Sequence, residues 1–198
     1  HHTGKRPKES DHVRNYNLGV GFQTFREHQH HIQTYGDPID FEYHDFFPLF
    51  TANSFDAEEW ADLFFLAGAK FAGPVAEHHD GYAMWDSKLT PWNAKSTGPK
   101  RDIVGEMEKA IRKRDMKFIT TFHHAKGGNF GEQAGKKQRQ WHYYARQQYL
   151  KRNKPDHLDS EELQKLYGSM PRDMWLKMWN GKLAEVIDNY QPDMIWFE

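Results

Sequence analysis

Three short apolar runs in the chain have the length and composition of buried β-strands. They cover residues Ala69–Glu77 (AKFAGPVAE), Lys117–Phe122 (KFITTF) and Asp193–Phe197 (DMIWF). Each run follows a stretch in which apolar residues recur with the period of a helix. A repeated helix–strand order is typical of a parallel sheet covered by helices, so the pattern predicts an α/β fold.

The first helix is predicted over Asp56–Ala67. Asp56 is a good amino-terminal cap, and Glu59 follows three residues later, as in a capping box. Gly68 is a good carboxy-terminal stop, because glycine tolerates the left-handed backbone that ends many helices. The periodicity predicts one buried stripe on this helix, formed by Trp60, Leu63, Phe64 and Ala67.

Two further helices are predicted before the second and third strands. The second covers about Asp102–Arg114, with acidic residues early and basic residues late, as the helix dipole favours. Its predicted apolar stripe consists of Ile103, Val104, Met107, Ala110 and Ile111. The third helix begins near Pro171, and its stripe includes Trp179, Leu183, Val186, Ile187 and Tyr190.

A long connection, Ala125–Met170, separates the second strand from the third helix, and it far exceeds the usual length of such connections. We predict helices within it over Gln138–Leu150 and Ser160–Leu166. It also carries a group of basic residues, namely Lys136, Lys137, Arg139, Arg146, Lys151, Arg152 and Lys154. The expected role of these charges is a solvated face, and a site for anionic sugars is the alternative.

These elements together predict part of a barrel. A complete (β/α)₈ barrel takes about 250 residues, whereas this chain has 198 and spends many of them on the long connection. We therefore expect three or four barrel strands, which corresponds to the amino-terminal half of a TIM-like barrel with a long helical insertion at residues 125–170. Residues 1–198 would then be a fragment of one catalytic barrel domain, and both ends of the chain are interpreted as cut.

Composition narrows the possible partners. A formal net charge of −1 gives no support for nucleic-acid binding, which needs a basic surface. The mean hydropathy is −0.96 and no apolar run reaches about 18 residues, so we expect no membrane-spanning segment. The chain has no cysteine, which excludes disulfides and thiol chemistry but leaves the compartment and the oligomeric state open.

Ionisable side chains follow all three predicted strands. The first strand leads into Glu77–Gly81 (EHHDG), the second into His123-His124, and the third ends at Trp196 and Glu198. In parallel α/β barrels the active site lies at the carboxyl ends of the strands. The sequence therefore predicts that these groups converge at one rim.

Each of these candidates also has an ordinary structural interpretation. Adjacent residues of a regular strand point to opposite faces, so His78 and His79 reach one site only if the chain bends after the strand, as Gly81 permits. The pair His123-His124 also fits an exposed loop, and the cluster at residues 28–31 is expected to be exposed. Glu198 suits a nucleophile, a general base or a structural acid, and Trp85 and Trp196 suit either a core or a sugar-stacking role.

Several motifs resemble glycoside hydrolase family 29, the α-L-fucosidases. The resemblance covers roughly Tyr35 to Glu198 and is weakest in the insertion. The motifs that carry it are Phe55–Trp60 (FDAEEW), Ala67–Phe71 (AGAKF), Glu77–Gly81 (EHHDG), Met84–Ser87 (MWDS), Trp92-Asn93, Gly98–Asp102 (GPKRD) and Pro192–Glu198 (PDMIWFE).

The resemblance implies a (β/α)₈-like barrel that removes terminal α-L-fucose from glycans or polysaccharides with retention, through a covalent glycosyl-enzyme. By match of motif, Glu198 occupies the position of the nucleophile, and His78 and His79 bind fucose hydroxyls. Trp196 lines the sugar pocket, and Trp85 and His123 are further candidates for substrate binding. No cofactor or metal is implied, and members of such a family are expected to be secreted, periplasmic or lysosomal.

The chain departs from the family pattern at three points. The nucleophile is ordinarily aspartate, whereas position 198 is glutamate; the first-strand motif HWG is absent; and the acid/base carboxylate comes later in the family than this chain extends. These departures leave two alternatives open. One is a catalytically impaired fucose-binding relative, and the other is a metal-dependent hydrolase that uses His78, His79, His123 and Glu198.

Overall fold

The computed structural model describes residues 26–37, 40–78, 80–123, 160–167 and 170–197. Two candidate site residues, His79 and Glu198, lie outside this part of the chain. The predicted helix Gln138–Leu150 and the seven basic residues named above for the long connection also lie outside it. The chain divides into two compact units, and their described parts are residues up to Phe46 in the first and residues from Phe47 onward in the second.

The first unit contains a small aromatic cluster at the end of a helix. Helix α1 (Arg26–Tyr35) carries His31, whose ring packs against Tyr35, Phe41 and Phe46 with centroids 5.6 to 6.0 Å away. The Nε2 atom of His31 lies 3.0 Å from the carbonyl oxygen of Phe41. The expectation that residues 28–31 are all exposed is therefore wrong for His31, because aromatic residues downstream fold back onto it.

The described part of the second unit is built on four parallel strands. They are β1 (Phe71–Ala72), β2 (Val75–Glu77), β3 (Lys117–Phe122) and β4 (Met194–Phe197). Strand β3 is central: β1 and then β2 pair along one side of it, and β4 pairs along the other. All three predicted strand regions are confirmed, and the parallel pairing confirms the α/β class.

The first predicted strand is interrupted at Gly73 and Pro74. A Cβ atom at Gly73 would lie only 1.5 Å from the carbonyl oxygen of Ile119, so the two backbones approach too closely for any side chain there. The carbonyl oxygen of Pro74 instead accepts a hydrogen bond from the Thr120 hydroxyl at 2.9 Å. The chain then rejoins β3 as β2, with a shifted register.

Four helices of this unit match those predicted. A 3₁₀ helix (Tyr43–Leu49) precedes α2 (Ala57–Leu66), α3 (Ile103–Arg112), α4 (Glu161–Tyr167) and α5 (Arg172–Tyr190). Asp56 caps α2 and Asp102 caps α3, each accepting hydrogen bonds from backbone N–H groups of the first turn. Among the described helices, none combines the length and apolarity needed to cross a membrane.

The core lies between these helices and one face of the sheet, where Phe118, Thr120 and Phe122 of β3 are buried. The predicted stripe of α3 is fully buried, as expected. The predicted stripe of α2 is wrong, because Trp60 and Leu63 are 50% and 65% exposed while the small residues Ala57 and Ala61 are buried. The face with Ala57 and Ala61 lets α2 come close to α3. Periodicity alone did not distinguish this face from the bulkier face with Trp60 and Leu63.

The stripe of α5 is also rotated from the prediction. Val186 and Tyr190 are buried as expected, but Ile187 is largely exposed. The buried face continues instead through Trp175, Met178 and, unexpectedly, Lys182. A lysine in this position needs an anionic partner in the core.

The opposite face of the sheet, called here the open face, carries Val75, Ile119, Thr121, Met194 and Trp196. Register places Val75, Thr121 and Trp196 side by side on β2, β3 and β4. Val75, Met194 and Trp196 are each more than 40% exposed. The described elements thus form a sheet with its helices on one side, and closure into a barrel stays a prediction.

Asp193 fixes β4 at the amino-terminal end of the sheet. Its Oδ2 atom accepts hydrogen bonds from the backbone N–H of Phe118 at 2.9 Å and from Arg112 of α3 at 3.0 Å. Its Oδ1 atom lies 3.0 Å from the Lys117 ammonium, which together with the other donors holds the pKa of Asp193 below its usual value. This anchorage sets the register that brings the far ends of the strands level.

Candidate active site

The carboxyl ends of β2, β3 and β4 lie at one edge of the sheet. Glu77 pairs with Phe122, and Phe122 pairs with Phe197, so the three strands end level with one another. The next residues in the sequence are His78, His123 and Glu198. Convergence at one rim is therefore confirmed for the described pair His78 and His123, while Glu198 lies beyond the described residues.

His78 and His123 stack on each other at this rim. Their ring centroids are 4.3 Å apart and their planes are inclined by 24°. His123 is only 8% exposed, and its backbone N–H donates to the carbonyl oxygen of Glu77 at 3.0 Å. His78 is exposed. The buried ring of His123 thus supports the solvent-facing ring of His78 and limits the orientations that the His78 ring can take.

A tight turn follows His78. The backbone N–H of Gly81 donates to the carbonyl oxygen of His78 at 3.1 Å, and the Asp80 carboxylate accepts from the backbone N–H of Tyr82 at the same distance. Gly81 has a φ of +77°, a conformation that favours glycine. The bend expected at Gly81 is confirmed, and His79 lies within this turn in the sequence but outside the described residues.

A buried ion pair lies under the turn. The ammonium of Lys182 from α5 contacts the carboxylate of Glu77, and both side chains are fully buried. The same ammonium lies 3.2 Å from the carbonyl oxygen of Gly81. Sequence reasoning missed this pair, although the signal was present: Lys182 stands four residues from both Met178 and Val186 on the buried helix face.

Trp85 is fully buried and is held by a second charged residue of α5. Its indole N–H donates to Glu185 at 3.0 Å, and its ring packs edge-on against Phe122 with centroids 5.8 Å apart. The same carboxylate accepts from the Ser87 hydroxyl at 2.7 Å and from the backbone N–H of Lys88 at 2.8 Å. The structure gives Trp85 a packing role, and a direct contact between its ring and a sugar stays a prediction.

Trp196 lies on the open face of the sheet. The residue is 55% exposed, whereas its neighbour Phe197 packs on the helix side against Phe122 and Trp179 with ring centroids 6.3 and 6.0 Å away. An exposed indole beside the strand ends is a suitable platform for the apolar face of a sugar ring. The exposed side chain of Trp196 is thus available to a ligand, whereas Trp85 is enclosed by the described residues.

Other motif residues hold the loop between β2 and α3. The Asn93 amide donates to the carbonyl oxygens of Ser87 and Thr90 at 3.1 and 2.8 Å, and its carbonyl accepts from the backbone N–H groups of Lys95 and Ser96. Arg101 forms an ion pair with Glu106 and donates to the carbonyl oxygen of Phe55 at 2.9 Å. These motif residues therefore have a structural role, because their hydrogen bonds shape the segment that supports the rim.

Within the part of the chain that the structure describes, no three His, Asp or Glu side chains group as metal ligands would. His78 and His123 stack nearly parallel, so the lone pairs in their ring planes do not converge on one point. The proposed metal set also includes His79 and Glu198, which are not described. The metal-dependent alternative thus stays an untested prediction.

Comparison with known proteins places the chain among fucosidases. The sequence profile of the family described as Alpha-L-fucosidase matches residues 7–198. Human plasma alpha-L-fucosidase is 35% identical over 161 residues, which cover 80% of this chain and 28% of that protein. Bovine tissue alpha-L-fucosidase is 50% identical over 82 residues, or 41% of this chain and 18% of the relative.

Solved structures agree with the sequence relatives. The crystal structure of Thermotoga maritima alpha-fucosidase in complex with fucose is 29% identical and has a TM-score of 0.63. The match covers 94% of this chain and 38% of that one. The chain thus spans well under half the length of the relatives it matches. With a family profile that extends over nearly all its residues, this chain belongs to the alpha-L-fucosidase family, glycoside hydrolase family 29.

Proposed function

We propose that this chain is part of a retaining α-L-fucosidase and that it contributes the nucleophile and part of the fucose site. The observation that carries the proposal is the level ending of β2, β3 and β4, which brings the stacked pair His78 and His123 to the edge where Glu198 follows in the sequence. Family membership supports the reaction class, since the named relatives are alpha-L-fucosidases.

In this proposal Glu198 attacks the anomeric carbon of fucose and forms a covalent glycosyl-enzyme. A general acid protonates the departing glycosidic oxygen, and the same group then acts as a base toward the water that releases fucose. We assign this acid/base to no residue of this chain. By resemblance to the family, this carboxylate comes after the nucleophile in the sequence.

The other candidates bind and orient the sugar. The exposed imidazole of His78, together with His79, offers donors and acceptors for fucose hydroxyls, and His123 supports His78 from below. Trp196 stacks on the apolar face of the sugar from the neighbouring strand. The open face of the sheet would turn inward if the strands close into a (β/α)₈ barrel, which would bring these groups into one cavity.

The proposed substrate is a fucosylated glycan or polysaccharide. The resemblance implies a secreted, periplasmic or lysosomal location, and the names of the human plasma and bovine tissue relatives support the secreted or lysosomal ones. The alternative function is that of a catalytically impaired, fucose-binding relative, because glutamate replaces the aspartate that is usual at the nucleophile position.

The test is hydrolysis of an aryl α-L-fucoside by the longest natural polypeptide that contains this chain. Glu198→Gln should lower kcat by at least about 10³-fold, because it removes the group that forms the covalent bond. Glu198→Asp, which restores the family's shorter side chain, should retain most of the activity. Glu161→Gln, at an exposed acid paired with Lys165 on α4, is the matched control and should change nothing.

Turnover that is unaffected by Glu198→Gln would refute the nucleophile assignment. Binding of L-fucose without turnover by the unmodified protein would favour the impaired relative instead.

A further inference from the structure

We propose that Lys182 is a positioning residue for the fucose site. It acts through the carboxylate of Glu77 and the carbonyl oxygen of Gly81, the two positions that flank the turn carrying His78. This inference rests on the proposed function, because it treats the turn that carries His78 as part of the fucose site. Lys182 lies 12 residues before β4 begins, is fully buried, and takes no part in the chemistry itself.

The first support is geometric. The Lys182 ammonium contacts both flanks of the turn, because Glu77 is the last residue of β2 and Gly81 closes the turn four residues later. The backbone carbonyl of Glu77 also accepts the N–H of His123 at 3.0 Å. The buried ammonium of Lys182 thus holds Glu77 in place. Glu77 precedes His78 in the chain and binds the backbone of His123, so its position affects both stacked imidazoles.

The second support is the burial of the pair. Glu77 and Lys182 are each fully buried, and such a pair contributes little net stability compared with apolar residues of the same size. Buried ion pairs are instead well suited to selecting one local conformation, because any displacement leaves a charge without its partner. Because desolvation of the two charges offsets most of their attraction, the pair is better explained by a role in setting the rim geometry than by a gain in stability.

The third support is the way in which α5 approaches the rim. A Cβ atom at Gly181 would lie 2.6 Å from Cδ1 of Leu89, so the helix runs close to the segment that follows the turn. Three residues after Lys182, Glu185 binds Trp85, Ser87 and Lys88. A cation and an anion on the same helix face therefore secure successive parts of the 77–88 segment.

The experiment uses the longest natural polypeptide that contains this chain and compares two of its variants with the unmodified protein. The double variant Glu77→Leu/Lys182→Met removes both charges together, so that neither is left buried alone and the fold is retained. Lys177→Met, at an exposed lysine on the same helix, is the matched control. Nuclear Overhauser contacts between the rings of His78 and His123 report the rim geometry, and titration with L-fucose reports affinity.

We expect the double variant to keep its far-UV circular dichroism, to lose the contact between the two rings, and to bind L-fucose about tenfold more weakly, because a loosened turn must be ordered on binding. Lys177→Met should match the unmodified protein in both measurements. A folded double variant that keeps the ring contact and the original affinity would overturn the proposal. If the unmodified protein does not bind L-fucose, the proposed function fails, and the ring contact alone decides the positioning role.

Discussion

Single carboxylates connect distant parts of this sheet, and Asp193 is the clearest case. It lies just before β4, yet it binds the backbone of β3 and the Arg112 side chain of α3. The Lys117 ammonium is the largest cause of the lowered pKa of Asp193. Nothing in the local sequence distinguishes this aspartate from an exposed turn residue, because its partners are about 75 positions earlier. Sequence reasoning could place it at the strand start but could not assign its role.

Asp193→Asn should reduce the free energy of unfolding at pH 7 while keeping the fold, because the amide still accepts one hydrogen bond but has no charge for Lys117 and Arg112. A lowered pKa in the folded state means that the carboxylate stabilises the fold above its ordinary pKa of 3.8 and loses this effect as the pH falls through the folded-state value. Urea unfolding at pH 7 and at about pH 3 should therefore show a difference that shrinks in acid.

The exposed Asp188→Asn on α5 serves as the control and should show little change at either pH. A difference at Asp193 that is equal at both pH values would contradict the ionic explanation.

The positions of helices in the sequence were more predictable than the faces that those helices bury. The capping residues Asp56 and Asp102 and the left-handed Gly68 marked helix boundaries through local hydrogen bonds, which the sequence encodes directly. The buried face of α2 was mistaken because two faces of that helix carry apolar residues, and packing against α3 selects the one with alanines. For α5, Lys182 interrupted the apolar pattern, and its burial is explained by partners about 100 residues earlier, the Glu77 carboxylate and the Gly81 carbonyl oxygen.

At the same scale, Gly73 shows where backbone packing determines a strand. Gly73→Ala should destabilise the protein by about 3 kcal/mol or more, because the new methyl group would meet the backbone oxygen of Ile119, which cannot move without breaking the sheet. Gly181→Ala is the matched comparison, since its nearest neighbour is the flexible end of Leu89 and alanine favours a helix interior. Thermal unfolding of the two variants should place Gly73→Ala well below Gly181→Ala, and equal midpoints would contradict this account.

For the molecule as a whole, the order of helices and strands was sufficient to predict a parallel α/β arrangement with ionisable residues at one rim. The rim pair His78 and His123 followed from the rule that parallel strands end at a common edge. The stacking of their rings and the different environments of Trp85 and Trp196 did not follow from the sequence. Trp85 is followed by the polar Asp86 and Ser87 yet is buried, whereas Trp196 lies in an apolar run yet is exposed. The hydrogen bond to Glu185 holds Trp85 in the core, and the strand register places Trp196 on the open face.

The central claim is that the ends of β2, β3 and β4 form one fucose site, and titration of the histidine- and tryptophan-labelled protein with L-fucose tests it most directly. The account predicts that NMR signals of His78, His123 and the exposed Trp196 indole shift together along one binding curve. Saturable binding of L-fucose that leaves His78, His123 and Trp196 unperturbed would contradict the account.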